Sequence, residues 1–292
     1  MSRPPISVVV CVKNEEARLE DCLRSIVANE PAEIIVVDGG STDATLEIAR
    51  RYTDRIISSP ASNLTLDRQR GIDAAKHDLI AMIDADHRLA PGDLDALYAD
   101  LERFGLDIVQ SQLASHQNHG FWDAAEEQSW DLTHNIPGEK TMIGTAPAIF
   151  RRRVFDSVRF DDTITSAIDD TDFIYRLSKF PEYKIGIGTT RVAQLHFSDF
   201  HTYWRKFRWY GRGDGQFCLK NPERAASMCF HLLVRYPILY SARALRAGKP
   251  KAVPFFVLQG WLRFASLVST VARAPRGRAR PSSVPTSGAR GG

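Results

Sequence analysis

Asp84 and Asp86 close the apolar run Leu79 to Ile83 in the stretch LIAMIDADHRL. Side chains alternate across a strand, so residues i and i+2 point the same way, and the two carboxylates can converge where the strand ends. Paired hard oxygen ligands of this kind suit Mg²⁺ or Mn²⁺, which are usually held by one or two carboxylates plus the phosphates of a substrate. A solvated turn after a strand reads the same way, and an isolated D-x-D does not separate the two.

The segments that must position these carboxylates alternate between strand and helix. Ile6 to Val12 is β-branched and almost wholly apolar, the composition of a strand buried on both faces. From Glu15 to Ala28 the apolar residues Leu19, Cys22, Leu23, Ile26 and Val27 share one helical face, with Glu15 and Glu16 expected near its N-terminus. Glu33 to Val37 is a second strand, and Ala44 to Tyr52 resumes helical spacing. This β-α-β-α order predicts a doubly wound α/β sheet.

Between the second strand and its helix lies Asp38-Gly39-Gly40-Ser41-Thr42-Asp43. It lacks the G-x-G-x-x-G spacing of a dinucleotide fold. Gly39 and Gly40 can let the backbone turn closely past a ligand while Asp38 accepts hydrogen bonds from a nucleobase or ribose and Ser41 or Thr42 caps the helix. A purely structural turn with a helix cap looks similar. Arg55 to Ser58 reads as a short strand and Asp67 to Ala75 as a helix. Arg68 on that helix can meet a diphosphate or pair with Asp67 or Asp73.

The composition is that of a globular protein of 292 residues. The four cysteines form no CxxC pair, which fits reduced thiols. The apolar run before Lys13 is too short for a signal peptide, so no export is expected. Residues 201–292 carry 17 Lys and Arg against Asp214 and Glu223, a balance of +15, which leaves −12 for residues 1–200 of the +3 total. An acidic half followed by a basic, apolar, aromatic half points to a membrane surface rather than to nucleic acid, for which no motif is present.

From about Ile6 to about Gly213 the chain resembles the family 2 glycosyltransferases of the GT-A fold. VVVCVKNEE is similar to the family's first strand and turn, EIIVVDGGSTDAT to its uridine-binding strand and loop, and DRQRGIDAAKHDLIAMIDAD to its arginine-glycine helix and D-x-D strand. MIGTAPAIFRRRVFDSVRFDD resembles the acceptor-side strand and helix, and AIDDTDFIYRL the segment with the catalytic base. The resemblance implies nucleotide-sugar contacts from Val12, Asn14, Glu15, Asp38, Gly40, Arg68 and Asp84, and a metal on Asp84 and Asp86. It places the base at Asp170, where crowding by Asp169 and Asp172 is expected to raise its pKa; helix-capping is the other use of all three. Cys11 and Val12 stand where the family usually has proline and threonine, Lys13 where it has an aromatic, and Asp169 replaces the glutamate before the base.

A late histidine completes the metal shell in related enzymes, which makes His196 a third ligand candidate, although a histidine at a strand end is also an ordinary structural residue. In WRKFRWYGRG, Arg205, Arg208 and Arg212 share a helix face. Arg208 and Arg212 are candidates to close over the diphosphate, with a solvated or membrane-facing stripe as the alternative. Trp122 and Trp130, on a helix expected near Phe121 to Leu132, either stack on an acceptor sugar or belong to the core.

The expected organisation is a GT-A domain over residues 1–220, a helical membrane-associating segment over 221–272 and a disordered basic tail over 273–292. In Val253 to Ala272 the polar residues Gln259, Arg263, Ser266 and Thr270 form a narrow stripe. A central arginine costs about 3 kcal/mol in a spanning helix, a cost that a helix lying in the interface avoids. The expected activity is inverting transfer of a sugar from a nucleotide donor to a hydroxyl of a glycan or lipid-linked acceptor, with a divalent metal, at the cytoplasmic face of the cell membrane. The alternatives are a polyprenyl-phosphate sugar synthase, whose acceptor needs no base, and a non-catalytic nucleotide-binding scaffold.

Overall fold

The computed structural model describes residues 3–60, 63–116, 120–165, 167–195 and 199–274. The chain runs β1 (Ile6–Val12), α1 (Leu19–Val27), β2 (Glu33–Asp38), α2 (Thr45–Arg50), β3 (Ile56–Ser58), α3 (Leu64–Ala74), β4 (Leu79–Met82), β5 (His87–Arg88), α4 (Asp93–Arg103) and β6 (Ile108–Ser115). It continues through α5 (Phe121–Thr133), β7 (Gly138–Glu139), β8 (Ala148–Arg151), α6 (Val154–Ser157), α7 (Asp169–Leu177), β9 (Ile185–Gln194) and α8 (Phe200–Lys220). The last elements are α9 (Ala225–Phe230), a π-helix (His231–Tyr240), α10 (Ser241–Arg246) and α11 (Ala252–Arg273).

The strands form one mixed sheet of nine in the order β3-β2-β1-β4-β8-β6-β9-β5, with β7 beside β9. β1 to β4 are mutually parallel, and β8 reverses direction between β4 and β6. Each central strand feeds two cores by alternation. Val8 and Val10 of β1 pack with α1, α2 and α4 on one face, while Val9 packs with α3, α6 and α7 on the other. The same parity governs the end of β4. Ile83 and Ala85 join the first core and are buried, so Asp84 and Asp86 turn away from it.

α3 crosses β1 at short range. A Cβ on Gly71 would lie 2.3 Å from Val9 Cγ1, so only glycine allows that approach. Arg68, one turn earlier on α3, is thereby brought to the ends of β1 and β4.

Several elements differ from the sequence expectation. The first helix starts at Leu19, and Glu15 and Glu16 lie in the turn before it, where Glu16 Oε2 accepts the Ala44 N–H ahead of α2. Asp43, rather than Ser41 or Thr42, accepts the Thr45 N–H. Two short strands expected at 184–187 and 191–195 are one strand, β9, because β6 pairs along both parts across an irregularity at Gln110/Gln112. The helix expected from His231 begins as a π-helix containing Pro237, a residue that cannot donate an intrahelical bond.

The C-terminal helices form a third layer. Phe255 and Phe256 of α11 and Ala244 of α10 pack with Tyr203 and Phe207 of α8 and Ala125 and Leu132 of α5. A boundary at residue 220 therefore divides α8 from the helices it packs against. α11 is long and apolar enough to cross a membrane. Its polar stripe faces inward, however: Arg263 Nε and Nη2 donate to Asp214 of α8 at 2.8 and 2.7 Å, and Asp214 is fully buried. A Cβ on Gly211 would lie 2.3 Å from the Arg263 carbonyl, so α8 and α11 are in backbone contact there. Val257, Trp261 and Val268 face outward. The basic tail lies outside the described residues from position 275 onward.

Candidate active site

A cleft of about 1590 Å³ opens at the carboxyl ends of β1 and β4, bounded by α3, α5, α7 and α8 and closed behind by the π-helix and α11. Its volume exceeds the roughly 300–1,000 Å³ of a typical single-ligand pocket.

Asp84, Asp86 and His87 bring ligand-type atoms within 4.8 Å of one another. The Asp84 N–H donates to His87 Nδ1 at 3.0 Å, which makes Nδ1 the acceptor and puts the ring proton on Nε2. That nitrogen is buried and lies 3.8 Å from Asp86 Oδ1. At that distance His87 makes no hydrogen bond to Asp86: it holds the Asp84 turn through Nδ1, and Nε2 has no hydrogen-bond partner among the described residues. Gln194 at the end of β9 donates to Asp86 Oδ2 at 2.8 Å. Burial works against ionisation of Asp86, but His87, the Gln194 amide, Lys206 and Arg18 outweigh it and hold the carboxyl below its ordinary range. An ionised, braced carboxylate beside Asp84 fits a hard divalent cation. His196 lies outside the described residues.

Arg68 is buried at the centre of the site. Its Nη1 donates to Asp169 and, at 2.7 Å, to Thr145 Oγ1, while Nη2 faces Asp84 at 3.3 Å. The alternative pairing with Asp67 or Asp73 is not made among the described residues, because α3 turns Arg68 inward. Asp172 is taken by Arg176 and Lys220, both at 2.7 Å. Of the three carboxylates that open α7, Asp170 alone has no ion-pair partner among the described residues, and it faces the cleft. Burial, and then the charge of Asp169, push its carboxyl up to about 6. Burial leads, and of the two neighbouring carboxylates expected to crowd it Asp169 is the main contributor.

The nucleotide-side residues separate into two groups. Val12 and Glu15 line the cleft, and burial, with Asp84 and Asp86 nearby, pushes the Glu15 carboxyl up. Asp38, Asn14 and Gly40 instead build the loop behind it. The Asp38 carboxylate accepts the N–H groups of Gly40 and Ser41 at 3.1–3.2 Å, and Asn14 Oδ1 accepts the Thr42 N–H at 2.9 Å. Gly40 adopts a positive φ of 86° in this turn. Asp67, passed over in the sequence, lines the cleft under Gly39, where a Cβ would come 3.0 Å from its Oδ2.

On α8, Arg212 lines the cleft and Arg208 is exposed outside it. Trp130 is buried in the cleft wall, and Trp122 packs against Phe121, Phe200 and Tyr203. Sequence reading also missed Lys206. Its ammonium lies in the cleft 3.1 Å from buried Glu126, which also accepts from Tyr203 Oη at 2.5 Å. Glu126 outweighs the burial that disfavours the charge, so Lys206 stays cationic near Asp86.

A mixed sheet with parallel β1 to β4, a reversed β8 and paired aspartates at the end of β4 defines the GT-A fold. Solved structures bear this out. The mannosyltransferase PcManGT from Pyrobaculum calidifontis, in complex with GDP-Man and Mn²⁺, matches with a TM-score of 0.57 at 17% identity over 93% of this chain and 74% of that one. S. aureus TarS 1–349 in complex with UDP-GlcNAc matches with a TM-score of 0.54 at 13% identity over 91% of this chain and 89% of that one. Residues 7–159 match Glycosyl transferase family 2, and the chain belongs to that family.

Among curated proteins, the dodecaprenyl-phosphate galacturonate synthase of Rhizobium johnstonii is 35% identical over 116 residues, 36% of this chain and 34% of that protein. The cholesterol galactosyltransferase of Borreliella burgdorferi is 30% identical over 114 residues, 37% and 32% of the two chains. The match thus spans about a third of the length of these relatives.

Proposed function

We propose that the chain is an inverting, divalent-metal-dependent glycosyltransferase that moves a sugar from a nucleotide diphosphate donor to a hydroxyl of a glycan or lipid-linked acceptor. The observation that carries this reading is Asp170: a cleft-facing carboxyl with no ion-pair partner among the described residues, raised to about 6, in the same cleft as the Asp84/Asp86 pair. A base whose pKa lies near the working pH is the efficient kind.

In this reading Asp84 and Asp86 hold Mn²⁺ or Mg²⁺, which when bound neutralises charge developing on the leaving diphosphate. Val12, Glu15 and Arg68 line the donor half of the cleft, and the loop held by Asn14, Asp38 and Gly40 sets its edge. Arg208 and Arg212 lie on the helix that would close over the diphosphate. Asp170 takes the proton of the acceptor hydroxyl as that oxygen bonds to the anomeric carbon. The bond from that carbon to the diphosphate breaks, and a nucleoside diphosphate leaves from the opposite face.

Membrane contact through the C-terminal helices belongs to the same reading, at the cytoplasmic face of the cell membrane. It is supported by the outward Val257, Trp261 and Val268 of α11, by exposed Arg243, Arg246 and Lys251, and by the absence of any carboxylate after Glu223. Two relatives whose names join a sugar to dodecaprenyl phosphate and to cholesterol support a lipid-linked acceptor.

The deciding experiment is calorimetric titration with a panel of nucleoside diphosphates and their sugars, in Mn²⁺, in Mg²⁺ and in a chelator, repeated on Asp86→Ala. Metal-dependent binding of one nucleotide, lost in the variant, is expected. No binding to a folded sample under any metal condition would overturn the enzyme reading in favour of a scaffold.

A further inference from the structure

The cleft wall opposite the aspartates is built by α8, α9, the π-helix and α11. Among the described residues it lines the cleft with Arg205, Lys206, Arg212, Arg224, Arg235 and Arg263 and with no carboxylate. Lys206 and Arg263 are neutralised by Glu126 and Asp214. Arg205, Arg212, Arg224 and Arg235 make no ion pair among the described residues. On α8, Arg212 is the cleft-lining arginine assigned above to the donor's diphosphate, and Arg205 shares its helix face. The pair beyond it, Arg224 and Arg235, remains for a second anion.

Arg224 ends a short 3₁₀ turn (Pro222–Arg224) ahead of α9, and Arg235 lies on the π-helix. A ten-residue π-helix is rare, since π turns mostly occur as single bulges and often at functional sites. Its i→i+5 register puts His231 and Tyr236 on one side, their rings 4.5 Å apart edge to face, and both line the cleft beside Arg235. Burial pushes the His231 ring down to about 3, so it adds a neutral surface there. Ile238 and Leu239 of the same helix stay out of the cleft lining and are 57% and 49% exposed, and Trp261 of α11 is exposed as well. Arg224 sits at the far end of the same wall, its guanidinium 5.3 Å from the ring of Tyr175 on the base helix α7.

We propose that Arg224 and Arg235 bind the phosphate of a lipid-linked acceptor, whose hydrocarbon chain lies over the exposed apolar face of the π-helix and α11. One helical unit then both docks on the bilayer and receives the headgroup, so the acceptor passes from the membrane surface into the cleft beside Asp170. This names the acceptor class for the transferase reading and rests on it.

The test is equilibrium binding to the full chain of three probes: farnesyl phosphate, farnesol and inorganic phosphate. Wild type is compared with Arg224→Gln and Arg235→Gln, and nucleoside diphosphate with Mn²⁺ is titrated in parallel. Farnesyl phosphate is expected to bind at least ~10-fold tighter than either of the other two, and each variant to reduce that binding ~10-fold while leaving nucleotide affinity unchanged. Both arginines are on the surface of the cleft, so the variants are expected to fold, with nucleotide binding as the check. Equal affinity for farnesol would mean apolar contact alone, equal affinity for inorganic phosphate would mean a free-phosphate site, and either would overturn the proposal, as would insensitivity to both substitutions. Loss of nucleotide binding in wild type would instead overturn the donor-site reading, so the two failures are distinguishable.

Discussion

Arg68 Nη1 is hydrogen-bonded to Asp169 Oδ2, and this buried pair ties the middle of α3 to the first turn of α7. The second guanidinium nitrogen reaches Asp84, so one cation joins the D-x-D turn to the segment that carries Asp170. Removing it would leave Asp169 buried and uncompensated. Breaking a buried pair by deleting one partner typically costs about 3–5 kcal/mol. Arg68→Met should therefore lower the thermal midpoint by several degrees and weaken nucleotide binding together. Arg68→Lys should keep part of the stability but lose much of the three-way contact, because an ammonium lacks the spread, planar fork with which the guanidinium reaches Asp169 and Thr145 through Nη1 and Asp84 through Nη2. Thermal melts and nucleotide titrations on both variants check this.

Asp170 predicts opposite effects on activity and on stability. Its folded-state pKa, about 6, lies above the unfolded value near 3.8, so the folded state binds the proton more tightly. Its contribution to stability is present below the unfolded value and is lost as pH rises through about 6. Asp170→Asn removes that loss, so the variant should melt higher than wild type at pH 8 and about equally at low pH. Turnover should fall by roughly 10²- to 10⁴-fold, the usual weight of a general base. In wild type, kcat/KM should rise with pH and level off above an inflection near 6. Near-normal turnover in Asp170→Asn would point to an acceptor that is already an anion.

The two halves of this site were not equally readable from the sequence. Asp170 was reached through the family resemblance, whereas the β-α-β-α order and the strand ending at Asp84 follow from local periodicity and alternation, which act over a few residues. The partners do not. Gln194 reaches Asp86 from 108 positions away, and Asp214 meets Arg263 across 49, so only the closed fold brings these groups together. The stripe Gln259, Arg263, Ser266 and Thr270 was visible, but its direction was not: a polar stripe on an apolar helix reads as the wet side until an acid on another helix is found to face it. The π-helix was hidden because a 3.6-residue period was assumed through Pro237.

Asp86 is held by the uncharged amide of Gln194, and His87 holds the neighbouring turn at Asp84. Gln194→Ala should weaken Mn²⁺-dependent nucleotide binding by about 10- to 100-fold, the common cost of losing a group that orients a metal ligand. His87→Ala should do the same and also loosen the Asp84 turn, whose N–H is held by Nδ1. Affinity measured in Mn²⁺ and in chelator separates the effects: a bracing role predicts loss only of the metal-dependent part.

The Asp214–Arg263 pair is expected to behave as a unit. Asp214→Leu alone leaves a buried guanidinium and should destabilise the α8–α11 packing by about 3–5 kcal/mol, and Arg263→Met alone should act similarly. The double variant restores an apolar contact of similar volume and should recover most of the loss. Denaturant unfolding of the four proteins gives the coupling directly.

With the polar stripe of α11 turned inward, the membrane prediction falls on the outward face. Trp261 is 57% exposed and sits among Val257 and Val268, and Arg243, Arg246 and Lys251 are exposed on the neighbouring helical turns. A carboxylate there would have to be desolvated against acyl chains and would also be repelled by anionic headgroups, whereas in water it meets only solvent. Trp261→Glu should therefore leave the thermal midpoint within a degree or two of wild type and cut binding to vesicles containing anionic lipid by at least tenfold. Replacing Arg243, Arg246 and Lys251 with Gln should reduce binding in a salt-sensitive way, by about 1 kcal/mol for each charge lost near the surface. If Trp261→Glu binds such vesicles as well as wild type in flotation assays, the face of α11 is not the contact.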